Sequence, residues 1–205
     1  EKINLTGNSK SKAKLSAATK DQPFINSLGM KFVPIPETEQ FFSVYETRVS
    51  EYKKFIVESG KGFNLGYENE TVNPDHPAKS RRNKTVLNYG YIEAFCEWIT
   101  ERDQKSGLIS EEWEYRLPSV DEWKIAAALD SVAVNKEANS GDENLKPVGS
   151  WKPNKFGLYD VAGNAWEQTL DSLSENLPKM ARLVGGAPRP LEGGHTNGPQ
   201  GFRCI

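Results

Sequence analysis

The sequence predicts an α+β fold with a few helices, short strands and much irregular structure. Three observations carry that expectation. Helical periodicity is confined to the first two thirds of the chain. The last third holds ten glycines between Gly141 and Gly201, where short strands and loops are expected. Strands and helices do not alternate as a βαβ series, and no segment repeats. The 205 residues suit one domain preceded by a tail, and five Trp, seven Tyr and nine Phe suffice for a core.

The elements follow in order. Residues 1–22 carry five Lys, one Glu, one Asp and no aromatic residue, the composition of a linker or tether. A single domain is expected over 23–205, its globular pattern starting at Phe24. Met30–Ile35 and Phe41–Glu46 read as strands separated by Pro36 and polar turn residues. A helix is expected from Val49 to Ser59, with Val49, Tyr52 and Ile56 on one face and Gly60 as its stop. Residues 60–85 read as loop, and Ser80-Arg81-Arg82-Asn83-Lys84 as a solvated turn. A second helix is expected from Tyr91 to Lys105, burying Ile92, Phe95, Cys96 and Ile99. Ser119 and Glu122 fit a capping box, so a third helix starts there with Trp123, Ala126 and Ala127 behind it.

Composition excludes several functions. With 26 Lys+Arg against 28 Asp+Glu, the net charge is −2, too little positive charge for a dedicated nucleic-acid binder. No apolar run approaches the roughly 20 residues of a membrane span, so this segment is expected not to insert into a bilayer. The chain opens on no charged-then-apolar segment, and any targeting peptide is expected to be absent or already removed. The only cysteines are Cys96 and Cys204 and the only histidines His76 and His195, and none lie at local zinc spacing.

The dense segment is Pro147 to Gln168, PVGSWKPNKFGLYDVAGNAWEQ. With it go Asn26-Ser27-Leu28-Gly29-Met30-Lys31-Phe32, Arg116-Leu117-Pro118-Ser119-Val120-Asp121-Glu122-Trp123 and Gly201-Phe202-Arg203-Cys204. In this order, over about residues 24–205, they resemble the formylglycine-generating enzyme, or sulfatase-modifying factor, family. The resemblance implies that family's variant of the C-type lectin fold.

It also implies chemistry that this chain departs from. The oxidase members bind copper between two active-site cysteines, a soft pair suited to Cu(I). Those cysteines lie between an Arg-Val-x-x-Gly-Gly strand and the terminal Gly-Phe-Arg-Cys. Here the corresponding interval, 187–200, reads APRPLEGGHTNGPQ and has no cysteine. The iron-dependent sulfoxide synthases of the family need three histidines, and this chain has two. No catalytic residue is therefore assigned, and neither copper nor iron is expected.

Other family features carry over residue by residue. The resemblance implies a Cys96–Cys204 disulfide, closing a loop of about 108 residues and contributing roughly 4–5 kcal/mol in the chain-entropy model. Such a bond would place maturation outside the reducing cytosol. The resemblance also implies a structural Ca²⁺, held by the side chains of Asp160 and Glu167 and the carbonyls of Gly163 and Ala165, an all-oxygen set. A second calcium site would fall near Asn139–Asp142, where the spacing departs from the family. Trp166 matches a groove-lining Trp of the oxidases, with core packing as the alternative, and Arg189 and His195 could border the same surface.

The expected function is a non-catalytic, extracytoplasmic module that binds a peptide, glycan or protein. Similar domains are fused to bacterial membrane proteins, including Ser/Thr kinases, so a sensor role within a longer chain is implied. Two alternatives stand beside it. One is a divergent metal-dependent oxidoreductase of the same family. The other is a retroelement-diversified receptor, disfavoured because 187–200 has one Asn and no Tyr or Ser.

Overall fold

The structure, a computed structural model, describes residue 15 and residues 17–60, 73–78, 89–129, 145–172, 181–185 and 200–205. Within them run β1 (Phe24–Ile25), β2 (Lys31–Ile35), β3 (Gln40–Ser43), α1 (Val49–Ser59), α2 (Tyr89–Lys105), α3 (Val120–Ala127), β4 (Trp166–Ser172), β5 (Ala181–Gly185) and β6 (Gln200–Phe202). The fold is the expected α+β mixture of three helices and short strands.

The first sheet has the order β1-β2-β3, antiparallel throughout. Strand β1 escapes the alternation pattern because it is two residues long. It exists because Asn26 folds the chain back: its Oδ1 accepts the amides of Leu28 and Met30, each at 2.9 Å. Strand β3 stops at Ser43, short of the expected Glu46. Beyond it the chain turns to the C-terminus, with Ser43 and Thr47 donating their amides to the carbonyls of Cys204 and Phe202.

Helix α1 begins with the Glu51 carboxylate accepting the Arg48 amide at 2.7 Å and ends at Gly60, whose φ of 63° suits a residue without Cβ. It buries Val49, Tyr52 and Phe55, while the expected Ile56 is only half-buried. The i, i+3, i+6 row wins because Phe55 meets Phe95 edge-on at 5.7 Å and Trp98 at 5.5 Å. Helix α2 buries Ile92, Phe95, Cys96 and Ile99, the expected stripe. Helix α3 has the expected capping box: Ser119 Oγ accepts the Glu122 amide at 3.1 Å, and Glu122 Oε2 accepts the Ser119 amide at 2.8 Å.

Strand β2 separates two cores. Phe32 faces a cluster with Tyr52, Phe55, Phe95, Phe202 and Cys204. Val33 and Ile35 face a second cluster with Phe42, Trp123, Leu158, Val161 and Val184. Of the leader, Leu15 is buried in the first core, and Lys20 donates to the Lys155 carbonyl at 3.1 Å. The second sheet has the order β5-β4-β6, with β4 antiparallel to β5 and parallel to β6.

Candidate functional site

The site grows out of the segment between Asn154 and Glu167. Asn154 is buried and organises its start: its Oδ1 accepts the amides of Phe156 and Leu158, and its Nδ2 donates to the last carbonyls of α3, on Ala126 and Ala127. Asp160 and Asn164 follow with φ of 62° and 63°, the left-handed region that Asp and Asn enter most readily among non-glycine residues. The chain therefore curls at both positions before straightening into β4.

Four charged side chains meet there, all at most 3 % exposed: Glu46, Asp160, Glu167 and Arg203. Arg203, from the end of β6, reaches Glu167 through Nη2 at 2.7 Å and through Nε at 3.0 Å. Its remaining hydrogens go to the carbonyls of Ser43, Val44 and Tyr159. Trp123 Nε1 donates to Glu167 Oε2 at 2.7 Å. Asp160 accepts the amides of Gly149 and Trp151. Glu46 accepts the Ala165 amide at 2.9 Å and Asn164 Nδ2 at 2.6 Å.

Three carboxylates and one guanidinium leave a formal charge of −3 + 1 = −2 inside the protein. Burial, then the charges of Asp160 and Glu167, push the Glu46 carboxyl well above the ordinary range. Burial also raises Asp160, against its two amide donors and Arg203. Burial would lower Arg203, but Glu167 and then Glu46 and Asp160 outweigh it and hold the guanidinium charged. Yet both Glu46 oxygens face N–H donors, which favours the ionised form. Asn164 cannot turn its oxygen toward Glu46, because its Oδ1 already accepts the Lys146 amide.

A divalent cation would suit this excess of buried carboxylate. It would bring −2 to zero, and the donors are hard oxygens. Asp160 accepts one hydrogen on each oxygen, and Glu167 meets three donor groups with about four lone-pair sites, so both keep acceptor capacity. Among the described residues no three His, Cys, Asp or Glu side chains are grouped to hold a metal. The expected set is different in kind, two carboxylates with the carbonyls of Gly163 and Ala165.

Cys96 and Cys204 are buried thiols whose sulfurs lie 3.9 Å apart. The Cys204 contact first, and burial second, raise the Cys96 pKa well above its ordinary value. Trp166 is half-buried at the head of β4, opposite Gly185 on one side and Gln200 on the other. The interval that starts after β5 and ends at β6 therefore leaves and returns on either side of this one residue. Arg189, His195 and Asn139–Asp142 lie outside the described residues.

Sequence reasoning missed Glu46, Asn164 and the part played by Arg203. The signal for Glu46 was present: it falls in alternation with Phe42 and Val44, and all three are buried. An acid at a core-facing position requires partners.

Comparison with known proteins gives one consistent result. The family described as "Sulfatase-modifying factor enzyme 1-like domain" matches residues 37–204. The formylglycine-generating enzyme of Mus musculus is 25% identical over 179 residues, covering 73% of this chain and 45% of that protein. The serine/threonine-protein kinase pkn1 of Chlamydia caviae is 27% identical over 221 residues, covering 89% of this chain and 33% of the kinase. The chain thus spans less than half the length of these curated relatives. The solved structure of PvdO from Pseudomonas aeruginosa shares the fold, with a TM-score of 0.52 at 18% identity over 81% of this chain and 80% of that one.

Proposed function

We propose that this chain, which belongs to the sulfatase-modifying factor family, is a non-catalytic module that binds a peptide, glycan or protein outside the cytoplasm as part of a longer protein. One observation carries the reading: the interval from Gly185 to Gln200, flanking Trp166, contains no cysteine and one histidine, His195. The copper-binding pair of the oxidases lies in that interval, so its thiolate chemistry has no residues here. What is kept is the frame around it. Trp166 offers a broad, half-buried aromatic surface between the two strand ends, a suitable anchor for a ligand. Arg189 and His195, within the same sequence interval, are the polar candidates.

Calcium belongs to the frame in this reading. Asp160 and Glu167 with the Gly163 and Ala165 carbonyls would hold it. The ion would neutralise the buried excess charge and tie the loop before β4 to the sheet. Cys96 and Cys204 would be joined as a disulfide by closing from 3.9 Å to a bond of about 2.05 Å, stapling α2 to the C-terminus. That staple is the argument for an oxidising compartment. Placement in a larger protein draws support from the kinase relative, where the matched region is one third of the chain.

Native mass spectrometry with and without chelator and reductant, joined to metal analysis, tests the reading. One retained calcium, a mass about 2 Da below the reduced value and no copper or iron are expected. Stoichiometric copper or iron would overturn it in favour of a metal-dependent oxidoreductase.

A further inference from the structure

We infer that Glu46 is the positioning residue of the calcium loop, a role that the ligand set of Asp160, Gly163, Ala165 and Glu167 does not include. The inference rests on the calcium reading above and deepens it. Glu46 stands just beyond β3, 118 and 119 residues from its two partners. It is fully buried, and both of its oxygens go to the loop: Oε1 to the Ala165 amide at 2.9 Å, Oε2 to Asn164 Nδ2 at 2.6 Å. These contacts hold the peptide between Asn164 and Ala165. The carbonyls assigned to the cation lie one residue to either side, on Gly163 and Ala165.

The loop's own preferences do not suffice to hold this shape. Asn164 sits at φ 63°, a conformation that surrounding contacts must maintain. Its side chain is gripped twice. The Lys146 amide donates to Oδ1 at 3.1 Å, while Nδ2 reaches both Glu46 and the Lys146 carbonyl, the latter at 3.3 Å. That grip fixes which end of the Asn164 amide faces Glu46, and it is the donor end. A carboxylate is therefore required opposite. Glutamine has the same shape, but it would present one oxygen and one N–H₂, setting donor against donor at Asn164. The carboxylate sits beside the cation site without being spent on the cation. Outer partners that orient ligands in this way typically change metal affinity by about 10–100-fold when removed.

The experiment uses terbium as the calcium probe, excited through the tryptophans, since Trp123 touches Glu167. Emission titrations report affinity, and the emission lifetime reports how many waters complete the ion's shell. Wild-type chain is expected to bind Tb³⁺, with Ca²⁺ as competitor. Glu46→Gln, folded by circular dichroism, should bind at least about tenfold more weakly and show a shorter lifetime, as water replaces misplaced carbonyls. Asn164→Ala removes the other half of the clamp and should act in the same direction. It carries the test if Glu46→Gln fails to fold. Phe55→Leu, in the other core, should lower stability while leaving affinity and lifetime unchanged, which separates positioning from general destabilisation. Wild-type affinity and lifetime in both clamp variants would overturn the role of Glu46 and leave calcium standing. A wild-type chain that binds neither ion would overturn the calcium reading, and this inference with it.

Discussion

Replacing Arg203 by methionine removes the only cation within hydrogen-bond reach of Glu167 among the described residues. The side chain of Arg203 is 0% exposed and that of Glu167 1%. Removing one partner of a buried ion pair typically costs about 3–5 kcal/mol, because the other charge stays buried. The carbonyls of Ser43, Val44 and Tyr159 lose donors as well. Each orphaned carbonyl could add about 1–3 kcal/mol, but these costs share one side chain and do not sum. A loss of at least about 4 kcal/mol is therefore expected, a large part of the roughly 5–15 kcal/mol that holds a domain together. For a chain of this size the melting temperature should fall by roughly 10–15 °C. Thermal unfolding followed by circular dichroism, in chelator so that bound cation does not contribute, measures it. Arg203→Met/Glu167→Leu should recover part of the loss, because the stranded carboxylate is gone. A single-variant loss below about 1 kcal/mol would refute the view that this pair is the electrostatic centre of the fold.

Other outcomes follow from neighbouring contacts. Trp123→Phe keeps the ring but loses the donor to Glu167, and should cost about 1.5–3 kcal/mol in chemical denaturation. Glu122, forked by Arg116, has its pKa lowered to about 2. Its contribution is present above the unfolded carboxyl value near 4.5 and fades as pH falls toward about 2. Melting temperature against pH should therefore be less steep across that window in Glu122→Gln than in wild type. Ser119→Ala removes the cap on the Glu122 amide and should cost about 1 kcal/mol. If Cys96 and Cys204 are oxidised, Cys96→Ser should destabilise by about 2–5 kcal/mol under non-reducing conditions and by much less in reductant; equal losses in both would argue against the bond.

The legible parts of this fold were those where local chemistry and tertiary packing agree. The Ser119–Glu122 capping box and the apolar stripe of α2 needed no information from elsewhere in the chain. Ile56 was expected on the buried face that Phe55 occupies because both rows suit a helix, and Phe95 and Trp98, more than 35 residues away, decide between them. The end of β3 was overrun for the same reason, since Cys204 and Phe202 draw that segment aside. In the site, Asp160 and Glu167 were readable from a motif, and the structure brings them beside Arg203. Glu46 was not readable as part of the site, because its partners are over a hundred residues away and nothing near it in sequence announces them. Alternation along Phe42, Val44 and Glu46 would have shown only that an acid points inward.

The pairing of Trp166 with Gly185 on one flank and Gln200 on the other has a further consequence for how such a domain can diversify. Both ends of the intervening segment are clamped by the same strand, so its length and composition can change without disturbing a rung of the ladder. The two pairings fix the distance between the points where that segment leaves and rejoins the sheet, whatever its sequence.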